Sequence, residues 1–208
     1  MARFIQEKKE IMEEMTKDAI IQAAFDILVE RSWADFTMER LAKRAGIAKG
    51  TVYNYFKNKE DIIHFIILKR TAPMRDKILS LDYEKSDTVD LLSQILDILT
   101  KDLFENRLGV SAIVKALGGQ SHRSGEEDRI FGDIREKFLF TIERGINEGV
   151  FKKIDPIIVE EVLHSLFLGM GQKISNGELV GMDKPFLEFL KEVIIAGLIA
   201  VRKENGSK

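Results

Sequence analysis

A chain of 208 residues, 45% of them hydrophobic, carries enough apolar surface for one or two folded domains, which excludes a disordered tail. It has no cysteine, so disulfide frameworks, thiolate metal sites and cysteine nucleophiles are excluded as well. The net charge of −2 is unevenly spread: Arg40, Lys43, Arg44, Lys49, Lys57 and Lys59 give the window from Arg40 to Lys59 a charge of +6 with no acid, leaving −8 on the remainder. A basic patch on an acidic body suits a partner that carries phosphates.

The start of the chain turns charged at Arg3, Glu7, Lys8 and Lys9, before any apolar stretch of signal-peptide length, and the longest apolar run is Val193 to Val201. The expectation is a cytoplasmic protein with no membrane partner. Prolines are confined to Pro73, Pro156 and Pro185, and apolar residues recur three and four apart, which predicts an all-α fold of about nine helices.

In chain order, Thr16 is placed to cap a helix from about Lys17 to Glu30, in which Ile20, Ala23, Ala24, Ile27 and Leu28 make one apolar stripe. The charged, helix-prone residues before it either extend this helix or form a loose arm. Thr37, with Glu39 in the first turn, starts a second helix that ends near Ala45, where Gly46 supplies a left-handed residue. A third helix runs from about Lys49 to Tyr55. Asn58 and Asp61 then cap a fourth, which carries Ile62, Ile63, Ile66 and Ile67 towards a kink or break at Pro73.

Beyond Ser80 five longer helices are predicted, near Asp87 to Phe104, Leu108 to Leu117, Glu126 to Asn147, Pro156 to Ile174 and Lys184 to Lys203. Ser124 with Glu127, Asp155-Pro156 and Asp183-Lys184-Pro185 signpost three of the starts, and Gly118 to Gly125 reads as a flexible loop. The expected division is a first domain over 1–70, with the start of a linking helix, and a second helical domain over 71–208.

The stretch from Leu41 to Phe56 reads as a helix-turn-helix. Ala42 is small where two helices cross, Gly46 permits the sharp turn, and Leu41, Ala45, Ile47, Val52 and Phe56 wedge the pair against the first helix. Lys49, Gly50, Thr51, Tyr53, Asn54 and Tyr55 are left facing outward. Lys49 and Asn54 can reach base edges, Gly50 allows close backbone approach, and the hydroxyls of Thr51, Tyr53 and Tyr55 can bond phosphates or bases. Lys59, one residue after the Asn58 cap, and Thr37, at the start of the second helix, are placed to meet phosphates.

Ala23-Ala24-Phe25, Phe36-Thr37-Met38, Ala45-Gly46-Ile47-Ala48-Lys49-Gly50-Thr51, Tyr53-Asn54-Tyr55-Phe56 and Lys57-Asn58-Lys59-Glu60-Asp61 together resemble the N-terminal domain of the TetR family of bacterial transcription regulators. The resemblance covers roughly Lys17 to Ile67. It implies a homodimer with two DNA-binding heads and a helical C-terminal domain that takes a small effector, with DNA contacts at Thr37, Lys49, Gly50, Thr51, Tyr53, Tyr55 and Lys59. Ser32-Trp33 departs from the family, which commonly has a glycine there to end the first helix.

The helix from Pro156 and the last helix hold more apolar residues than one core-facing stripe needs, and are read as the dimer interface. Leu163, Ser165, Phe167, Gly169, Leu190, Ile194 and Gly197 carry that reading, with Ser165 and Gly169 allowing close approach. The candidate effector pocket draws on Phe104, Ile113, Leu117, Phe131, Phe138 and Phe167, whose aromatic richness points to a small apolar or planar ligand. The same residues at helical spacing also suit a filled core, which leaves a ligand-independent DNA-binding regulator or nucleoid-associated protein as the alternative. The histidines His64, His122 and His164 are scattered, so no metal or cofactor is expected. No G-x-x-x-x-G-K, H-E-x-x-H or G-x-S-x-G string is present to support the remote alternative of a helical enzyme.

Overall fold

The computed structural model describes residues 1–30, 35–117, 125–179 and 183–200. Trp33, His122, Ser124 and the expected loop over 118–124 lie outside them. Among the described residues there are nine helices: α1 (Ala2–Glu30), α2 (Met38–Ala45), α3 (Lys49–Tyr55), α4 (Lys59–Leu79), α5 (Thr88–Glu105), α6 (Arg107–Leu117), α7 (Gly125–Asn147), α8 (Pro156–Ser175) and α9 (Asp183–Leu198). None is long and apolar enough to cross a membrane. The chain forms two compact units, Met1–Arg70 with Leu108–Gln120, and Thr71–Arg107 with Ser121–Lys208, so α6 groups with the N-terminal helices.

In the first unit α1 is one continuous helix. Thr16 does not cap it: its hydroxyl donates to the Met12 carbonyl at 2.7 Å, one turn back, which a threonine inside a helix does. The predicted stripe is buried, with Ile20 and Ala24 fully enclosed, and α2 packs against α1. Arg70 lies over the Phe25 ring at 3.7 Å and Lys17 over the Phe65 ring at 3.7 Å, joining the middle of α4 to α1.

Two expected ends moved. The fourth helix runs through Pro73 to Leu79 without the predicted break. Proline removes one backbone donor, but Thr71, Met74 and Ile78 are buried on either side of it, and this packing holds the helix together. The ninth helix stops at Leu198 rather than Lys203. Beyond it the chain pairs with the α7–α8 connection: Lys152 N–H donates to the Leu198 carbonyl and Ala200 N–H to Val150, both at 2.8 Å, around the antiparallel bridge of Phe151 and Ile199. The Lys152 ammonium donates to the Gly197 carbonyl at 2.8 Å and so occupies one of the orphan acceptors at the helix end.

The second unit is built around one buried cluster. Leu91, Leu92, Ile95 and Leu96 of α5 are fully enclosed and meet Ile134, Phe138 and Ile142 of α7, Val159 and Leu163 of α8, and Leu198 of α9. Gly145 has a steric reason: a Cβ there would stand 2.1 Å from the Phe151 ring, which lies flat against the α7 backbone. Asp155 caps α8 by accepting the Ile157 N–H at 2.9 Å, and Asp87 caps α5 by accepting Val89 and Asp90 N–H.

Candidate nucleic-acid interface

Local chemistry sets the geometry of the basic window. The Thr37 hydroxyl oxygen accepts the Arg40 N–H at 3.2 Å and starts α2. Gly46, at φ 69°, ends it in a Schellman arrangement, with Gly46 N–H donating to Lys43 O and Ile47 N–H to Ala42 O. Only two residues separate Gly46 from α3, and α2 packs on α3. Leu41, Ala42, Val52 and Phe56 are buried as the wedge, while Ala45 and Ile47 are half-buried.

This wedge fixes what α3 presents. Lys49, Gly50, Tyr53 and Asn54 are exposed and Thr51 is half-buried, so five of the expected contact residues lie on or beside one polar edge. Tyr55 is the exception. At 100° per residue it falls nearer Val52 than Asn54. It is half-buried and lines a surface groove of about 640 Å³ with Glu13, Glu14, Asp18 and Ile21 of α1 and Phe65 of α4. Thr37 is exposed at the start of α2.

The start of α4 is closed on itself. Asn58 Oδ1 accepts the Asp61 N–H at 2.7 Å and Asp61 Oδ2 accepts the Lys57 N–H at 2.9 Å, so Lys59 occupies the first helical position beside a satisfied cap. Nor are the six positive charges of the window equivalent. Arg44 makes a forked pair with Glu30 (Nη2 to Oε1 at 2.6 Å, Nη1 to Oε2 at 3.2 Å), with Asp26 3.9 Å away. The hydrogen bond and charge of Glu30 raise the pKa of that guanidinium further above its usual range. Arg40 donates to the Asp35 carbonyl at 2.6 Å. Both pairs join residues whose meeting depends on the fold, and no spacing in the sequence signals them.

The other expected sites are placed differently. Leu163 is a core residue at 5% exposure, on the inner side of α8, so its dimer-interface expectation is corrected, while Phe167 and Ile194 are half-buried and touch the same core. Ser165, Gly169 and Gly197 are exposed, and Leu190 is half-buried. The outer faces hold Ile158, Val162 and Leu166 on α8, and Phe189 and Val193 on α9, all of them exposed apolar residues of the two helices read as over-apolar. They recur four residues apart, which keeps them on one face of each helix.

Of the pocket residues, Phe138 belongs to the core cluster and Phe131 and Phe167 pack against it; Phe104 is buried and Ile113 half-buried, while the Leu117 side chain lies outside what is described. Glu160, four residues before His164, pairs with Arg135 at 3.4 Å. Among the described residues no group of three acidic or histidine side chains is spaced to hold a metal.

Residues 20–65 match the family model of bacterial regulatory proteins of the tetR family. The chain is 31% identical over 77 residues to the fatty acid metabolism regulator protein of Bacillus subtilis, a match that covers 37% of this chain and 40% of that protein. It is 28% identical over 163 residues, 74% of this chain and 81% of the relative, to the HTH-type transcriptional regulator YhgD of Bacillus subtilis. In structure it is similar to SmeT in its triclosan complex, with TM-score 0.69, 20% identity, and 90% and 93% of the two chains covered. The helix-turn-helix with its buried wedge and polar edge, the helical fold and these matches agree: the chain carries the DNA-binding domain of the TetR family of bacterial regulatory proteins.

Proposed function

We propose that this protein is a homodimeric, sequence-specific DNA-binding regulator of transcription, a repressor that leaves a palindromic operator when a small apolar or planar effector binds its C-terminal domain. The observation that carries the reading is the polar edge of α3, with Lys49, Gly50, Tyr53 and Asn54 exposed over a fully buried Val52 inside a window without acidic residues. An edge of this kind offers donors and acceptors to a major groove while neighbouring cations meet phosphates. Self-association is supported by the exposed apolar residues of α8 and α9, which no isolated subunit gains by showing to water. Two heads then read half-sites one helical turn, roughly 34–36 Å, or a multiple of it apart.

Effector release rests on the similarity to SmeT, whose structure holds triclosan. One observation favours the second reading, a ligand-independent regulator: Phe138 sits inside the continuous core and Phe131 and Phe167 pack on it, so these aromatics already have a packing role. Selection of binding sites from random duplexes with the purified chain tests the main reading. Enrichment of a palindrome is expected, and recovery of only unrelated sequences at low salt overturns it. A compound that both raises the melting temperature and releases the selected duplex separates the effector reading from the ligand-independent one.

A further inference from the structure

The first half of α1 carries an apolar stripe that plays no part in the fold. Phe4, Ile5, Ile11, Met12 and Met15 recur at helical spacing and are each more than half exposed. At 100° per residue this stripe runs on roughly the opposite side of the helix from Ile20, Ala24 and Ile27, which bury against the rest of the first unit. A helix with one buried stripe and a second exposed one facing the other way presents a docking surface.

Charge identifies the occupant. Residues 1–9 hold Arg3, Lys8 and Lys9 against Glu7, whereas residues 10–18 hold Glu10, Glu13, Glu14 and Asp18 against Lys17. The segment is thus basic in its first half and acidic in its second, with no excess of cations to draw it to phosphate or anionic lipid. Its complement is the same helix reversed. Laid antiparallel, the basic half of one arm faces the acidic half of the other, Phe4 approaches Met12, Ile5 approaches Ile11, and the helix dipoles oppose favourably. Lys8, in the middle of the stripe, falls near the crossing point, where a long aliphatic stem packs and its ammonium reaches the rim. A single lysine at such a position sets register at some cost in strength.

We infer that the arm of α1 is a self-complementary surface that joins two copies of this chain antiparallel, separate from the α8 and α9 faces, so that regulators already paired through those faces link into a larger assembly. One short stripe falls below the roughly 800 Å² per partner of a standard interface. The link is therefore weak in dilute solution and strengthens when neighbouring operators concentrate the copies.

Sedimentation of the full chain without DNA tests this, and its outcome does not depend on operator binding. The wild-type assembly is expected to double in mass as concentration rises, and the variant Phe4→Asp/Ile11→Asp, checked for unchanged helicity, to stay at the smaller mass. Lys8→Glu/Lys9→Glu makes the arm acidic throughout and Glu13→Lys/Glu14→Lys makes it basic throughout. Each alone is expected to lose the larger species, and an equimolar mixture to restore it. Identical sedimentation of wild type and Phe4→Asp/Ile11→Asp at every concentration overturns the inference, as does failure of the mixture to associate. If the stripe variant keeps its sedimentation but binds a single operator more weakly, or if only the wild type floats with anionic vesicles, the arm serves DNA or lipid and the inference is wrong.

Discussion

The two units of this protein arrange polarity in opposite senses. Between Arg40 and Lys59 the first unit hides Leu41, Val52 and Phe56 and turns Lys49, Tyr53 and Asn54 to water. The second buries Thr88, Thr100, Thr141 and Glu160 inside or beside its core, while Ile158, Val162, Phe189 and Val193 stand in solvent on α8 and α9. Burying polar groups and exposing apolar ones is unfavourable for a lone subunit unless the former are bonded and the latter are later covered. Thr100 donates to the Leu96 carbonyl at 2.6 Å and Thr141 to the Lys137 carbonyl at 2.8 Å, so the first condition is met for both. The exposed apolar faces call for the second. The window from Arg40 to Lys59 is thus dressed for a charged polymer and the outer faces of α8 and α9 for a copy of the chain.

The largest test of this contrast removes the apolar dress. Val162→Asp/Phe189→Asp places charges on the outer faces of α8 and α9 and leaves the core untouched. Sedimentation should show a folded monomer, and operator affinity should fall by roughly 10²- to 10⁴-fold, because two tethered heads become independent ones. A dimer that survives this change at concentrations too low for the α1 arm to link copies would move the self-association surface elsewhere.

A smaller effect sharpens the head itself, by separating residues that read bases from those that meet phosphates. Asn54→Ala should lose about 1–3 kcal/mol of preference at particular base pairs, seen by competition between operator variants. Lys59→Ala should weaken all duplexes alike and flatten the log–log salt dependence by about one unit. Arg44→Ala should leave that slope nearly unchanged, because its guanidinium already serves Glu30. Equal slope changes for Lys59 and Arg44 would erase the distinction.

That division also marks how far the residues alone could be read. Thr37, Gly46 and Asn58 act on backbone within a few residues of themselves, so the ends of α2, α3 and the start of α4 were legible from local chemistry. With those ends fixed, the register of α3 followed, and with it most of its outward edge; the groove beside Tyr55 is made by α1 and α4 and could not be read from α3 alone. The same logic explains the errors beyond residue 70. Whether a helix survives Pro73, which side of α8 carries Leu163, and where α9 stops depend on how Met74 packs, on the core cluster and on the Val150–Lys152 segment, all set by partners distant in sequence. Amphipathic spacing showed that α8 had two apolar sides but could not say which of them faced inward.

The smallest predicted effect probes the buried polar side of the second unit. Tyr83 donates its hydroxyl to the Ile78 carbonyl at 2.8 Å, and burial pushes its pKa from 10.0 up to about 12. Lys137 lies 4.7 Å from the ring centre. In the unfolded chain the phenol ionises near pH 10, whereas in the fold it stays protonated until about 12. Below pH 10 both states hold the proton and this group contributes no pH dependence. As the pH rises from 10 towards 12 the unfolded state loses it first, so stability falls across that window. Alkaline titration followed by tyrosinate absorbance should show a tyrosine ionising late, and Tyr83→Phe should remove both that step and its share of the alkaline loss of stability. If the late step persists in Tyr83→Phe, the buried hydroxyl of the second unit is not the group that resists ionisation.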